Sequence, residues 1–380
     1  MSKNVNEQIK VDIPDSCKRP YQVIKRRKSR VVSVGDVKVG GNHDIVIQSM
    51  TNTETTDVDG TVAQIQRCVD NGAELMRVSV PDVDSARAMS EIVKRSPVPI
   101  IADIHYHYKR GIDSVKAGAK CIRINPGTLF DPKHAREIVS AVKDHGASIR
   151  IGINSGSIES RILEKYKTPC PEALVESAMD AVRMLEEMDF FETKISVKAS
   201  DPMLMIKSYE LLAKECDYPL HLGVTEAGSL ISSSVRSSIG IGSLLLQGIG
   251  DTIRVSASIP PEDEIPIAYE ICKSLNLRAR GVTVISCPSC ARQQFDVIKV
   301  VEEVEKRTAH IREPIVISIL GCVVNGLGEA AHSIIGVTGA GSGNHLIYRN
   351  GNTFMKSKSE NLVDDIVRLV EEESDRLQGK

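Results

Sequence analysis

The chain has 380 residues, of which 41% are hydrophobic and 26% are charged, and its formal net charge is −2. The length predicts two domains, or one barrel of roughly 250 residues with a smaller unit. The near-neutral charge and the aromatic content of 3% argue against a nucleic-acid or anionic-membrane partner. The sequence has no run of about 18 apolar residues, so we predict no transmembrane helix.

The N-terminal residues 1–20 contain no apolar segment of the kind that a secretory signal requires, so we expect a cytoplasmic protein. The basic run KRRKSR at residues 25–30 has no interleaved aromatic residues, and we interpret it as a solvated edge of the first element. In a reducing compartment the nine cysteines do not form a disulfide framework. We expect the six isolated ones to be small buried hydrophobes: Cys17, Cys68, Cys121, Cys170, Cys216 and Cys272.

Eight short apolar runs, each followed by a stretch with helical spacing, occupy residues 45–258. They begin at residues 45, 75, 99, 121, 148, 193, 219 and 252. Several of the intervening stretches end in Gly, as helix C-termini do. Eight alternating strand–helix units predict an α/β fold, a (β/α)8 TIM barrel. A doubly wound open sheet is the alternative.

The pattern changes after about residue 281. VTVIS, PIVISILGCVVNG and IIGVTGA are predicted to form strands, and HLIYRNGNTFMK to form a hairpin around Asn350–Gly351. Helices are predicted at residues 293–307 and 361–376. The sequence therefore predicts a TIM-barrel domain at residues 25–281 and a smaller α/β domain at residues 282–380.

Basic residues recur at one parity on the predicted barrel strands. Small polar residues or Gly follow two positions later, as in Arg77–Ser79 and Arg254–Ser256. Barrel enzymes bind their ligands at the carboxyl ends of the strands, and Arg suits phosphate oxygens. We predict a site for a strongly anionic ligand, such as a diphosphate, against the alternative that these cations pair with Asp103 and Glu226. The cations are Arg77, Arg123, Arg150, Lys198 and Arg254.

No nucleotide-binding glycine motif is present. His105 and His107 share a parity, but a third metal ligand is lacking nearby; we expect His105 to contact the ligand and His107 to be structural.

Three cysteines cluster in the second domain. Cys287 and Cys290 form a CxxC pair before a predicted helix, and Cys322 lies in a predicted glycine-spaced loop after a strand. Three thiolates fit a 4Fe–4S cluster that keeps one iron without a Cys ligand, and Glu329 is the candidate fourth ligand. A zinc site completed by a His or an acid and a redox disulfide remain alternatives.

The motifs CPSCARQQFD and GCVVNGLGEA resemble the cluster-binding signature of the bacterial 4-hydroxy-3-methylbut-2-enyl diphosphate synthases of the non-mevalonate isoprenoid pathway. The resemblance extends through IQSMTNT, ADIHYH, RIGINSGS and HLGVTEAG, and covers the chain from about residue 30. Two positions depart from it: Ala291 replaces a usual Gly and Leu327 a usual Pro. Ala291 directly follows Cys290, and Leu327 lies two residues before Glu329.

The resemblance implies a reductive ring opening of 2-C-methyl-D-erythritol 2,4-cyclodiphosphate, with loss of water and two electrons delivered through a 4Fe–4S cluster on Cys287, Cys290, Cys322 and Glu329. The five cations would hold the diphosphate, and Glu226 would be the acid for the departing hydroxyl; a salt bridge to an Arg is the alternative for Glu226. Further hydrogen bonds would come from Asn154, Ser196, Thr225 and Ser256.

The resemblance also implies a homodimer in which the cluster domain of one subunit covers the barrel mouth of the other. Flavodoxin or ferredoxin would be the electron donor. Two rivals remain at this stage. One is a non-catalytic iron–sulfur or zinc protein that senses a phosphorylated ligand, and the other is a metal-dependent barrel aldolase or pterin-type synthase.

Overall fold

The computed structural model describes residues 23–105, 107–126 and 131–379, without the side chain of Asn325. Predictions for Cys17, for residues 1–22 and for the loop at 127–130 lie outside these residues. The chain forms two compact units, one at Ile24–Arg278 and one from Ala279 onward. No helix in the described part of the chain is both long and apolar enough to cross a membrane.

The first unit is the predicted barrel, and all eight predicted strands are present. They are β3 (Val46–Met50), β4 (Leu75–Ser79), β5 (Ile100–Ile104), β6 (Cys121–Ile124), β7 (Ser148–Asn154), β8 (Thr193–Lys198), β9 (His221–Leu222) and β10 (Thr252–Ile253). The strands are parallel, β10 pairs with β3, and a bridge between Ile195 and Leu220 joins β8 to the start of β9. The hydroxyl of Tyr209 strengthens this junction, since it accepts from the Val197 N–H at 2.9 Å and donates to the His221 carbonyl.

Helices follow the strands around the outside of the barrel. They are α1 (Val58–Asp70), α2 (Val83–Arg95), α3 (Tyr108–Lys116), α4 (Pro132–Asp144), α5 (Ser160–Tyr166), α6 (Pro171–Glu186), α7 (Pro202–Glu215), α8 (Leu230–Leu246) and α9 (Pro261–Ser274). Asp residues begin four of them, at α1, α2, α4 and α7, each accepting a backbone N–H of the first turn. The outward strand residues, such as Ile47, Val78 and Ile151, pack under these helices in one buried core.

A hairpin of β1 (Val32–Val34) and β2 (Val37–Val39) closes the amino-terminal end of the barrel. Val34 and Val39 pack there against Val46, Leu75 and Ile101. The basic run before the hairpin is only in part the solvated edge that we predicted, since Lys25 and Lys28 are exposed but its arginines are half-buried. The side chains of Arg26 and Arg27 are only 20% and 14% exposed, because both lie beside the buried Asp251 and donate to backbone carbonyls.

The second unit contains a five-stranded sheet in chain order. Its strands are β11 (Val282–Ser286), β12 (Ile315–Leu320), β13 (Ile335–Gly339), β14 (Asn344–Arg349) and β15 (Asn352–Lys358). The first three are parallel and the last two form the predicted hairpin, whose turn residues Asn350 and Gly351 both have positive φ. Helices α10 (Val297–Thr308), α11 (Val323–Ala330) and α12 (Leu362–Leu377) complete the unit.

Two predictions for this unit were wrong in detail. Helix α10 begins at Val297 instead of residue 293, because Asp296 is its N-cap and accepts the Lys299 N–H. The segment after Cys322 is not a glycine-spaced loop but the helix α11, with Cys322 at its N-cap.

Of the isolated cysteines of the barrel unit that we expected to be buried, Cys170 and Cys216 are only half-buried.

Candidate active site

The five predicted cations all lie on the inner face of the barrel. Arg77, Arg123, Arg150 and Lys198 are buried, and Arg254 is half-buried. The cations are close enough to shift one another's pKa. Burial is the largest cause that lowers the pKa of Lys198 well below its usual value, and the positive charges of Arg77 and Arg254 lower it further. Burial and the charge of Arg123 lower the pKa of Arg150 to about 10. The sequence parity therefore identified one cluster of like charges.

Asp103 on β5 is the acid at the centre of this cluster. Its carboxylate lies 3.2 Å from Arg123 Nη1, 3.6 Å from Arg77 Nε and 3.7 Å from His105 Nε2. Burial alone would raise the pKa of Asp103, but Arg77 and Arg123 hold it below its usual value. His105 thus lies beside the cation cluster.

Glu264 on α9 is the second acid, and sequence reasoning missed it. Its buried carboxylate lies 3.4 Å from Arg254 Nε and accepts from Ser49 Oγ at 3.1 Å and from the Ala257 N–H at 3.0 Å. Three acids begin this helix, and no sequence signal distinguishes the one that turns inward. The sequence indicates Glu226, not Glu264, as the second acid available to pair with the cations.

Glu226 lies elsewhere, exposed in the segment after β9, with a left-handed φ of 55°. Among the described residues of the single chain, no surface covers its carboxylate. The alternative of a salt bridge to an Arg is also absent among the residues that the structure describes. Left-handed φ in a non-glycine residue costs free energy and is concentrated at functional sites.

Arg150 and Lys198 have no carboxylate partner among the described residues, and a third buried cation accompanies them. Lys194 has the parity of Ser196 and Lys198 on β8, and its Nζ lies 3.3 Å from Cys121 Sγ. Side-chain nitrogens of Arg150 and His221 and both amide atoms of Gln48 are buried without a partner. Among the described residues, six inward cations, Lys194 among them, therefore accompany two inward acids, Asp103 and Glu264, and the excess charge favours an anionic ligand.

The predicted hydrogen-bonding residues surround the same interior. With its amide oriented so that both ends have partners, Asn154 accepts from Arg123 Nη2 at 3.3 Å. Ser196 is buried and donates weakly to the Ile151 carbonyl at 3.4 Å. Thr225 and Ser256 are half-buried beyond the ends of β9 and β10.

The three clustered cysteines lie at the carboxyl edge of the second sheet. Cys287 follows β11, Cys322 follows the adjacent parallel strand β12, and the Gly321 N–H donates to Cys287 Sγ at 3.3 Å. The Gln294 N–H donates to the Gly321 carbonyl at 2.8 Å, which holds the segment after Cys290 against the same strand end. The structure thus brings the two cysteine motifs together.

Glu329 occupies the last turn of α11, on the face of the helix that Cys322 begins. Seven residues of helix correspond to about 10 Å, so one metal ion cannot bind both residues. In the described ranges no three His, Cys, Asp or Glu side chains converge as ligands of one ion. A multi-iron cluster is less restrictive, because its ligands bind different irons.

Other features of these loops fit a bound cluster. The hydroxyl of Ser289, between the first two cysteines, is buried without a partner, and its φ is 51°. A Cβ on Gly339 would lie 2.5 Å from Gln294 Cβ, so glycine permits close packing of the loop there. Three features favour the thiolate form of these cysteines. The thiols are half-buried or exposed, the Gly321 N–H is directed at Cys287 Sγ, and Cys322 lies at the N-terminus of a helix.

Comparison with known proteins supports the same division of the chain. The GcpE TIM-barrel domain matches residues 29–269, and the GcpE protein C-terminal domain matches residues 283–372. A protein of Ruegeria sp. (strain TM1040) is 54% identical over 362 residues, covering 95% of this chain and 96% of its own. A protein of Ruegeria pomeroyi is 55% identical over 359 residues, covering 94% and 96%.

Both relatives are named 4-hydroxy-3-methylbut-2-en-1-yl diphosphate synthase (flavodoxin), as is one from Zymomonas mobilis, which is 53% identical over 95% of this chain and 96% of its own. The resemblance found in the sequence motifs is confirmed over nearly the whole length. The chain belongs to the GcpE family of 4-hydroxy-3-methylbut-2-en-1-yl diphosphate synthases.

Proposed function

We propose that this chain converts 2-C-methyl-D-erythritol 2,4-cyclodiphosphate into (E)-4-hydroxy-3-methylbut-2-enyl diphosphate. Two electrons and one proton enter, and the ring C–O bond to phosphate and a C–OH bond break. A C=C bond forms between the two carbons, the phosphate oxygen leaves as an anion, and the hydroxyl takes the proton and leaves as water. The observation that carries the proposal is the excess of buried cations in the barrel, where Arg150 and Lys198 have no carboxylate partner among the described residues. A diphosphate supplies the missing negative charge.

The cations would act in two ways. Arg77, Arg123 and Arg254 are already oriented by Asp103 and Glu264, so little side-chain ordering remains to be done when the ligand binds. Ring opening leaves new negative charge on a phosphate oxygen, and fixed positive charges stabilise that charge without reorganisation. Asn154, Ser196, Thr225 and Ser256 would donate hydrogen bonds to the phosphate and hydroxyl oxygens.

Glu226 would supply the proton to the departing hydroxyl. A carboxyl is a suitable general acid if its surroundings keep it protonated near neutral pH. In the single chain Glu226 is exposed, so this role requires that another surface cover it.

A 4Fe–4S cluster would be held by Cys287, Cys290, Cys322 and Glu329. When bound, it supplies electrons one at a time and a Lewis-acidic iron. The Gly321 N–H already directed at Cys287 Sγ would stabilise the thiolate. The relatives' names make flavodoxin the first donor to test, with ferredoxin as the alternative, and a cytoplasmic location suits both.

We propose a homodimer as the working form, with the cluster unit of one chain completing the barrel site of the other. Mixing two inactive variants tests this arrangement. Arg150→Ala damages only the barrel site and Cys322→Ser only the cluster site. If the sites are shared between chains, a mixed dimer contains one intact site and regains up to half of the activity per dimer. No regain from co-expressed, verified mixed dimers would contradict shared sites.

The test of function begins with anaerobic purification, followed by iron and acid-labile sulfide analysis and turnover of the cyclic diphosphate with reduced flavodoxin. We expect about four iron and four sulfide per chain, as one 4Fe–4S cluster requires, and formation of the linear diphosphate. Zinc in place of iron, or a cluster without turnover, would favour the alternative of a non-catalytic sensor. The enzymatic names of the relatives disfavour that alternative.

A further inference from the structure

Gly152 lies on β7 between two inward-facing polar residues, Arg150 and Asn154. Its φ is not in the left-handed region, so backbone conformation does not require glycine at this position. An added Cβ would lie 2.4 Å from Arg123 Nε, 3.2 Å from its Cζ and 3.3 Å from its Cδ. The three nearest atoms all belong to one side chain, so Arg123 occupies the space that a side chain on residue 152 would need.

This space determines the path of Arg123. The register of β6 and β7 places Arg123 level with Arg150, so Gly152 lies two residues closer to the carboxyl end of the barrel. The Arg123 guanidinium crosses β7 there and donates from Nη2 to the Gly152 carbonyl at 3.3 Å. Its Nη1 lies 3.2 Å from Asp103 Oδ1, on the opposite neighbouring strand.

We infer that Gly152 is a positioning residue of the anion site. The missing Cβ lets Arg123 lie flat across β7 with its charge directed toward the barrel mouth. Because ordinary contacts between non-bonded heavy atoms lie near 3.5 Å, an alanine would displace the Arg123 side chain by about 1 Å. The inference rests on the proposed function for the identity of the substrate, but its test requires only anion binding.

Gly223 on the segment after β9 has a similar relation to Lys198, whose Nζ would lie 2.8 Å from an added Cβ. The Arg254 carbonyl would lie closer still, at 2.6 Å, so a substitution there also displaces backbone. Gly152 is therefore the position at which the effect on the cation is separable from an effect on the strands.

The experiment is a double-mutant cycle that measures the Kd of inorganic pyrophosphate by calorimetry for the full chain. Gly152→Ala should weaken binding about tenfold, the loss expected for one charge-assisted hydrogen bond. The same substitution in an Arg123→Ala background should change the Kd less than twofold, since the displaced side chain is gone. Gly242→Ala is the control, because its Cβ would meet only Ile271 Cγ2 at 4.0 Å, and it should bind like the unmodified chain.

Unchanged affinity in Gly152→Ala, or an equal loss in both backgrounds, would overturn the inference. So would an unmodified chain that does not bind pyrophosphate. If Gly152→Ala does not fold while Arg123→Ala does, folding of the double variant Gly152→Ala/Arg123→Ala supports the contact between Gly152 and Arg123. In the same case, a double variant that also fails to fold contradicts the contact. If the Kd values follow the expected pattern but the unmodified chain does not turn over the cyclic diphosphate, the result contradicts the proposed function and leaves the inference about Gly152 intact.

Discussion

Arg123 and Asp103 are partners in register on the adjacent strands β6 and β5, with Nη1 and Oδ1 3.2 Å apart. Arg77 approaches the same carboxylate from β4, on its other side, at 3.6 Å. A single buried acid therefore orients two cations from two strands. The arrangement keeps a like-charged interior stable while leaving it positive overall.

Neutralising this acid should destabilise the barrel. Asp103→Asn should lower the free energy of unfolding by about 3–5 kcal/mol, because buried charges lose their counter-ion. Thermal unfolding of the variant and the unmodified chain checks this. An unchanged Tm would show that Asp103 does not compensate the cations.

The same group makes a pH prediction with a definite sign. Because its pKa is lower in the folded chain, Asp103 contributes stability that is fully present above the unfolded pKa of about 3.9. That contribution is lost as the pH falls toward the folded pKa. The stability difference between Asp103→Asn and the unmodified chain should therefore be constant from pH 5 to 7 and shrink in acid. A difference independent of pH down to about 3 would contradict it.

Lys198 should make anion binding depend on pH. Its pKa is lowered by burial and by the neighbouring Arg charges, and a bound anion raises it again. Pyrophosphate binding should therefore take up a proton between the pKa values of Lys198 in the free and the bound chain, and become tighter as the pH falls through that range. Calorimetry in buffers of different ionisation enthalpy measures the uptake. Lys198→Met should remove the part of this uptake that does not come from pyrophosphate itself; identical uptake in both chains would exclude Lys198 as its source.

Cys322→Ser should separate the two units functionally. We expect loss of turnover and of visible absorbance, because a serine hydroxyl is a much weaker ligand of cluster iron than a thiolate, while pyrophosphate binding by the barrel remains within about twofold. Cys170→Ser is the matched control, since Cys170 is a half-buried N-cap position where serine is favoured. Turnover like that of the unmodified chain in Cys322→Ser would contradict the cluster assignment.

Glu226→Gln should retain iron content and anion affinity but lose about 10²–10⁴-fold in kcat, the usual contribution of a general acid. Glu187→Gln, at an exposed site at the end of α6, should leave kcat unchanged. If kcat falls less than threefold in Glu226→Gln, another group donates the proton.

The sequence predicted much of this structure for identifiable reasons. Strand side chains alternate between two faces, so Arg77, Arg123, Arg150, Lys198 and Arg254 were placed in the interior from parity alone. Lys194 obeys the same rule, two positions before Ser196 on β8, and was available from the same pattern. The CxxC pair and the third cysteine identified the second site by residue type and spacing.

The sequence alone determined the eight strand–helix units, the polar interior of the barrel and the family, because these depend on local periodicity and on motifs. The tertiary structure decided which acid faces which cation. Glu264 is buried beside Arg254 and Glu226 is exposed because these positions depend on how a helix and a segment beyond a strand fold over the barrel. It also decided that Arg123 passes over Gly152, since only packing between neighbouring strands shows what an absent side chain makes room for.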